Sequence, residues 1–267
     1  MNTILLLKNT LEKIRQNSSQ YFRWVIFLTF LGHGLVNLGL SPSYDFHLRI
    51  ASSLFSESVS PELVLQCVAA IDLLLAIIVL FGVKPRISIP IAVTYLLLVA
   101  AIVWYYYYQQ SGSIFGFAEI MRRLPWVLFL VFIYAARKNK SPFTLLRIGL
   151  SFAFLAHGTA SLGILGINEG HIELATEIVP ENWVRDFVFY TGASDTIIGI
   201  LLMLGIASRV TTYVGTCWLF LVVGLSFSFA IPDGLFRLGF LLSGLYVAID
   251  PRCHTLTIGS IISASKK

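Results

Sequence analysis

Charged side chains are scarce in this sequence of 267 residues, since Asp, Glu, Lys and Arg make up 12% of it and hydrophobic residues 57%. A soluble domain has about 25% charged residues, so this chain has too little polar surface to cover a water-soluble globule of its size. Dense cysteine, periodic glycine and low overall hydrophobicity are also missing, which excludes a disulfide scaffold, a collagen-like repeat and intrinsic disorder. The composition predicts a membrane protein.

Motifs of soluble enzyme classes are missing too. The sequence has no CxxCH, HExxH, P-loop or GxGxxG pattern, so it gives no support to metalloproteases or other soluble enzymes, and no metal site is predicted. The three cysteines, Cys67, Cys217 and Cys253, form no CxxC pair and are interpreted as structural. The net charge of +5 is explained by membrane topology and requires no nucleic-acid partner.

Long apolar stretches dominate the chain, each about 18–23 residues in length. They cover residues 21–40, 63–83, 88–108, 117–136, 144–165, 186–206, 210–230 and 232–250. At 1.5 Å of rise per residue, such lengths match a hydrocarbon core of about 30 Å. The sequence therefore predicts an all-α, polytopic membrane protein with eight transmembrane helices in contact with the lipid bilayer.

Basic residues indicate the orientation of these helices. If the N-terminus lies inside, 14 of the 19 Lys and Arg residues fall on or near the cytoplasmic side. We therefore expect both termini to be cytoplasmic and the protein to be integral to a membrane, with the bacterial inner membrane as the expected location. Residues 1–20 hold three basic side chains among several apolar ones, which predicts a short amphipathic helix on the cytoplasmic face.

An internal repeat organises the sequence. Arg23 precedes His33-Gly34 by ten residues, and Arg147 precedes His157-Gly158 by the same spacing. The acidic residues Asp72 and Asp195 recur at an offset of 123, and the pairs Glu119/Arg123 and Asp233/Arg237 at an offset of 114. The predicted order is an N-terminal segment 1–20, a first four-helix repeat 21–137, a linker 138–144, a second repeat 145–252 and a tail 253–267.

The repeat also predicts how the helices are arranged. An even number of helices makes both copies cross the membrane in the same sense, so we expect two tandem four-helix bundles related by a pseudo-twofold axis along the membrane normal. An inverted-repeat transporter is disfavoured.

Ionisable residues that a bilayer should exclude are shared by both copies. Each costs at least about 2.5–3.5 kcal/mol to insert, so they should face the interior of each bundle and find partners there. We expect one cluster per repeat: His33, Asp72, Glu119 and Arg123 in the first, and His157, Asp195, Asp233 and Arg237 in the second.

Separate roles are predicted within these clusters. An acid beside a histidine biases its tautomer and raises its basicity, so His33 with Asp72, and His157 with Asp195, are candidate catalytic or proton-transfer pairs. Glu119, Arg123, Asp233 and Arg237 are candidate ligand-binding residues, with an i,i+4 ion pair expected on each helix. The alternative is that these groups only hold the helices together.

Two further histidines allow a different interpretation. His47 and His171 each follow the first histidine of their repeat by 14 residues, a spacing that could place two haem-ligating imidazoles about 21 Å apart on one helical face. Turn-forming residues interrupt both helices before the second histidine, so we expect His47 and His171 on outer loops. These loops, about 41–62 and 166–185, are each expected to carry a short helix over the mouth of the bundle, with helix starts at Pro61 and Pro180.

The pattern of an Arg opening the first helix, His-Gly midway along it, an acid in the second helix and Arg-Leu in the fourth resembles DoxX/DoxD-like four-helix membrane proteins. The resemblance covers about residues 21–137 and again 145–252. Where that family is expected to have a Lys soon after His-Gly, this chain has Asn37 and Ser161. The resemblance implies a subunit of a quinone-linked thiosulfate oxidation or terminal-oxidase system.

Several functions remain open at this point. The preferred hypothesis is a quinone-associated or redox-linked membrane component, as a subunit of a larger complex, with quinone as the candidate ligand. The alternatives are a small-molecule or lipid transporter or binding protein, a structural subunit, and a b-type haem-binding membrane cytochrome. Whether the protein catalyses a reaction is not decided by the sequence.

Overall fold

The computed structural model describes residues 2–55, 59–111, 116–136, 142–164 and 169–255. Regular secondary structure in these ranges is helical, which confirms the all-α prediction. The helices are α1 (Asn2–Gln16), α2 (Ser18–Asn37), α3 (Tyr44–Phe55), α4 (Pro61–Phe81), α5 (Pro85–Ser111), α6 (Gly116–Ala136), α7 (Thr144–Ser161), α8 (Glu169–Thr176), α9 (Val184–Leu204), α10 (Ser208–Phe229) and α11 (Ile231–Ile249). Most of the linker 138–144 and of the tail 253–267 lies outside the described residues.

Local signals explain where several helices begin and end. Helix α4 starts at Pro61, and the hydroxyl of Ser60 accepts a hydrogen bond from the first turn. Pro180 precedes a short 3₁₀ turn, Glu181–Trp183, that leads into α9. Helices α4 and α9 both end at a glycine in the left-handed region, Gly82 with φ 63° and Gly205 with φ 71°.

Five of the helices are long and apolar enough to cross a membrane: α4, α5, α9, α10 and α11. The protein is therefore an integral membrane protein. Helices α2, α6 and α7 are not in this group, although they coincide with three of the eight stretches chosen from the sequence. These three helices carry many of the ionisable residues that the sequence singled out.

Helix packing does not separate the two halves of the chain. Helix α2 packs on α4 and on α11, whereas α6 packs on α5 and on α7, and α2 also contacts α6. The first and last long helices of both halves thus form one central bundle of α2, α6, α7 and α11. Helices α4, α5, α9 and α10 lie outside it. The expectation of two separate four-helix bundles is wrong, because the closest partner of α6 is α7 and α2 packs extensively on α11.

Small residues make this packing close. A Cβ atom on Gly32 of α2 would lie 2.5 Å from the backbone nitrogen of Phe236 in α11. A Cβ atom on Gly158 of α7 would meet Thr196 and the carbonyl of Gly192 in α9. Helix α2 therefore approaches α11, and α7 approaches α9, at backbone distance, as small residues allow in membrane bundles.

The two arginines at matched positions, Arg23 and Arg147, lie at the carboxyl ends of neighbouring helices. Arg147 is buried and donates from Nη1 to the carbonyl of Leu202 and from Nε to that of Cys253, 3.1 Å away. The guanidinium of Arg23 lies against Gly82, the residue that ends α4. A cation at the carboxyl end of a helix interacts favourably with the helix dipole, and Arg147 also satisfies free carbonyl groups there.

The close approach of α2 to α11 predicts a sensitive position. Gly32→Ala should lower the free energy of unfolding by about 1–3 kcal/mol, because its new Cβ would meet the backbone of Pro232 and Phe236 and not a flexible side chain. The measurement is the thermal midpoint of the purified protein in detergent.

The matched control is Gly224→Ala in α10, where nothing lies within 4 Å of the added Cβ. This variant should keep or slightly raise the midpoint, because alanine in a helix is favoured over glycine by about 0.5–1 kcal/mol. Equal midpoints for both variants would contradict the packing described here.

Candidate functional site

The predicted His–Asp pair forms in the first half of the chain. Nδ1 of His33 lies 2.7 Å from Oδ2 of Asp72, whose side chain is fully buried. The hydroxyl of Tyr95 donates to Oδ1 of Asp72 at 2.8 Å, and Nδ2 of Asn37 donates to Oδ2 at 3.3 Å. Helices α2, α4 and α5 thus each contribute to the hydrogen bonds of one buried carboxylate.

Helix α3 adds the second histidine of the first half. Nδ1 of His47 lies 2.6 Å from Oδ1 of Asn37, and the ring centroids of His33 and His47 are 5.2 Å apart. Asn37 therefore links the two imidazoles and the carboxylate of Asp72. The sequence predicts His47 on an outer loop. In the structure this segment forms α3, which folds back over the bundle and brings His47 to Asn37.

The second half has a different arrangement. The rings of His157 and His171 stack at 5.5 Å, and Nδ1 of His171 lies 2.7 Å from the hydroxyl of Ser161. Asp195 is not within ion-pair distance of His157. Its carboxylate accepts a hydrogen bond from Trp218, and its Oδ1 has no partner among the residues that the structure describes. The expected His157–Asp195 pair is therefore wrong, and the two histidine pairs are not chemically equivalent.

Both i,i+4 ion pairs form. Glu119 accepts from Arg123 at 2.9 Å and also from Arg122, while Asp233 accepts from Arg237 at 3.2 Å. Burial at these positions requires such pairing, because an isolated carboxylate in an apolar medium is strongly disfavoured.

Contacts across the halves join these groups into one site. Nη2 of Arg122 lies 3.4 Å from Nε2 of His171. Ser43 donates to Oδ1 of Asp233 at 2.8 Å, and Ser41 donates to Oδ2 of the same carboxylate. The expectation of one cluster inside each repeat is wrong, because Arg122 and both serines bond to groups of the other half. We call the joint site the central cluster: His33, Asn37, His47, Asp72, Glu119, Arg122, Arg123, His157, Ser161, His171, Asp233 and Arg237.

Both histidines that come from outside the long helices are held neutral. Burial lowers the pKa of His47 to about 3, and electrostatic interactions with His33 and Arg123 add to this effect. Burial likewise lowers the pKa of His171 to about 3, with further contributions from Arg122 and Arg237. Both imidazoles can therefore accept or relay a hydrogen bond without carrying charge at neutral pH.

The central cluster is deep but not sealed. Its four imidazoles and three guanidiniums are all half-buried; His33 retains 22% and Arg237 30% of its side-chain exposure. A cleft of about 740 Å³ lies beside it, between the α2–α3 connection and the start of α11. This cleft includes Ser41, whose hydroxyl bonds Asp233, so it reaches the edge of the cluster.

Neither metal nor dihaem ligation finds support in the geometry. Within the part of the chain that the structure describes, no group of three or more His, Cys, Asp or Glu side chains converges as a metal site. The dihaem interpretation requires two imidazoles about 21 Å apart on one helix. Instead, His47 and His171 lie on separate short helices, and each ring is in contact with the first histidine of its own half.

Comparison of the chain with protein-family models, with curated proteins and with solved structures finds no match. The function must therefore be argued from the central cluster itself.

Several residues that belong to the central cluster or, like Tyr95, bond to it were missed by reasoning from the sequence. Asn37 and Ser161 had a detectable signal, since they follow the two histidines at i+4 and so share a helical face with them. Arg122 and Tyr95 had none, because a neighbouring arginine and a tyrosine in an apolar helix look ordinary without knowledge of the packing.

The low pKa values of the two neutral histidines predict a stability that depends on pH. Between about pH 6.5 and pH 3 the unfolded chain binds protons at His47 and His171 that the folded protein does not bind. Stability should therefore fall as the pH drops below about 6.5. The measurement is the thermal midpoint between pH 8 and pH 5.

The double variant His47→Gln/His171→Gln tests the cause. Glutamine keeps a polar side chain but does not titrate, so the midpoint of the variant should fall less steeply with decreasing pH. The same slope for both proteins would show that other groups control the acid sensitivity.

Proposed function

We propose that the protein is a quinone-associated, redox-linked membrane component whose central cluster binds the head group of a quinone and exchanges protons with it. The observation that carries this proposal is the pair of the half-buried His33 and the fully buried Asp72, which lies close to three arginines and three further histidines at the centre of the helical bundle. A charged cluster at membrane depth marks a functional site by default. The resemblance to DoxX/DoxD-like proteins agrees with the same chemistry.

The cluster matches the hydrogen-bonding needs of a quinone. Each of the two carbonyl oxygens of a quinone accepts hydrogen bonds, and the guanidiniums of Arg122 and Arg237 are permanent donors at the centre of the site. The aromatic ring of Phe236 lies 6.1 Å from the ring of His33, so an apolar surface borders the polar one. A planar head group with polar edges is suited to such a site.

The His33–Asp72 pair supplies the proton-handling part. Because Asp72 accepts hydrogen bonds, it holds the proton of His33 on Nδ1 and leaves Nε2 as the basic nitrogen. Tyr95 and Asn37 hold the carboxylate in this orientation. A quinone takes up two protons and two electrons on reduction; the pair would handle protons, and a redox partner subunit would supply or accept the electrons.

The membrane arrangement belongs to the same proposal. Eight helices cross the bilayer, the two halves are related by a pseudo-twofold axis along its normal, and both termini face the cytoplasm of a bacterial inner membrane. In support, the contacts are matched: α2 packs on α11 as α6 packs on α7, and α4 packs on α2 as α9 packs on α7. The polar helices are then shielded from lipid by apolar ones.

Binding of decylubiquinone, a short-tailed probe, by the protein in lipid nanodiscs tests the proposal. Asp72→Asn should weaken this binding by about tenfold or more, the effect of losing one charge-assisted hydrogen bond that orients His33. Asp186→Asn is the matched control, since the carboxylate of Asp186 is exposed near the start of α9 and should be dispensable.

Organic extraction of the purified protein, followed by mass spectrometry, identifies what the cluster carries. A quinone recovered in stoichiometric amount supports the proposal. A lipid in its place would identify a lipid-binding protein, and a visible haem spectrum would identify a cytochrome. Equal decylubiquinone affinities of the Asp72 and Asp186 variants would show that the central cluster does not bind the quinone.

A further inference from the structure

Two N–H donors lie one helical turn apart on α6 without an acceptor among the described residues. They are Nε1 of Trp126 and Nε of Arg122, both buried. Residues four apart share a helical face, so both side chains belong to the same side of α6. We propose that these donors bind an oxygen atom of the ligand and fix its orientation. This inference rests on the proposed function, that the central cluster binds a quinone head group.

Burial makes these free donors costly. Trp126 is 2% exposed, and a buried N–H group without an acceptor costs about 1–3 kcal/mol. Tryptophan and arginine side chains in such positions normally have a partner. A carbonyl oxygen of the ligand would satisfy both donors, since such an oxygen has two lone pairs.

The surroundings place both donors beside the central cluster. Arg122 uses its other nitrogens on Glu119 and His171, which fixes its guanidinium in the cluster. The ring of Trp126 packs against those of Phe236 and Phe240 in α11, with centroid distances of 6.0 and 4.1 Å. Helix α11 therefore supports the indole from one side.

The corresponding positions of the second half carry no such donors. Arg123 corresponds to Arg237 at an offset of 114 residues, and the same offset relates Arg122 to Phe236 and Trp126 to Phe240. Helix α6 thus presents two N–H donors where α11 presents two phenyl rings. Because α11 has phenyl rings and no such donors at these positions, an oxygen atom of the ligand would be directed toward α6, and the site would hold the ligand in one orientation.

Substitution of the indole by a phenyl ring tests this inference. Trp126→Phe removes the donor and keeps an aromatic side chain, so decylubiquinone affinity should fall about 3–10-fold, as expected for one hydrogen bond. The carbonyl stretching frequency of isotope-labelled decylubiquinone should also rise, because one hydrogen bond to the oxygen is lost. A purely structural role of Trp126 would leave this frequency unchanged.

Arg122→Lys is the second variant. It removes Nε but keeps a cation for Glu119, and it should raise the same carbonyl frequency even if the tryptophan variant does not fold. Trp24→Phe is the control, since Trp24 is half-exposed on α2, and neither affinity nor frequency should change.

The outcomes separate the two proposals. Binding by the wild type, with the carbonyl frequency unchanged in both variants, would overturn the donor pair and leave the proposed function intact. Failure of the wild type to bind decylubiquinone would overturn both.

Discussion

An ionised side chain inside a bilayer must be paired and kept away from lipid, because transfer of an isolated charge to an apolar medium is prohibitive. The architecture of this protein follows from that constraint. Helices α2, α6, α7 and α11, which carry His33, His157 and the carboxylate–arginine ion pairs of the central cluster, pack at the centre. The more apolar helices α4, α5, α9 and α10 lie around them, with Asp72 of α4 directed to His33. Large apolar side chains such as Leu74, Ile91 and Phe220 remain exposed on the outer helices, where lipid can cover them.

Helices of the first half pack on helices of the second half, so the polar residues of both halves form one site. Because α6 packs on α7 and α11 on α2, the ion pairs of α6 and α11 both face the same central space. Arg122 then reaches His171, and Ser41 and Ser43 reach Asp233. The contacts that join the halves are polar as well as apolar, so the same contacts hold the bundle together and form the site.

The two halves of the chain differ in the hydrogen bonds that their histidines and acidic residues make. Asp72 has three hydrogen-bonding partners and orients His33, whereas Asp195 is turned to Trp218 and leaves His157 stacked on His171. The residue four positions after the first histidine accounts for part of this contrast. The amide of Asn37 donates to Asp72 and accepts from His47, whereas the hydroxyl of Ser161 bonds His171. The two halves of the chain therefore contribute unequally to the central cluster.

Composition and apolar run length by themselves determined that the protein is helical and belongs in a membrane, because a lipid-facing backbone must satisfy its own hydrogen bonds within each helix. The helical spacing was also enough to predict the pairs Glu119/Arg123 and Asp233/Arg237, since they depend on one helix alone. Only the tertiary structure decided that α2 pairs with α11 and α6 with α7, that α3 and α8 fold back to bring in His47 and His171, and that Asp195 lies apart from His157. These outcomes depend on contacts between residues far apart in the chain, where small side chains such as Gly32 and Gly158 select the partner by how closely two backbones can approach.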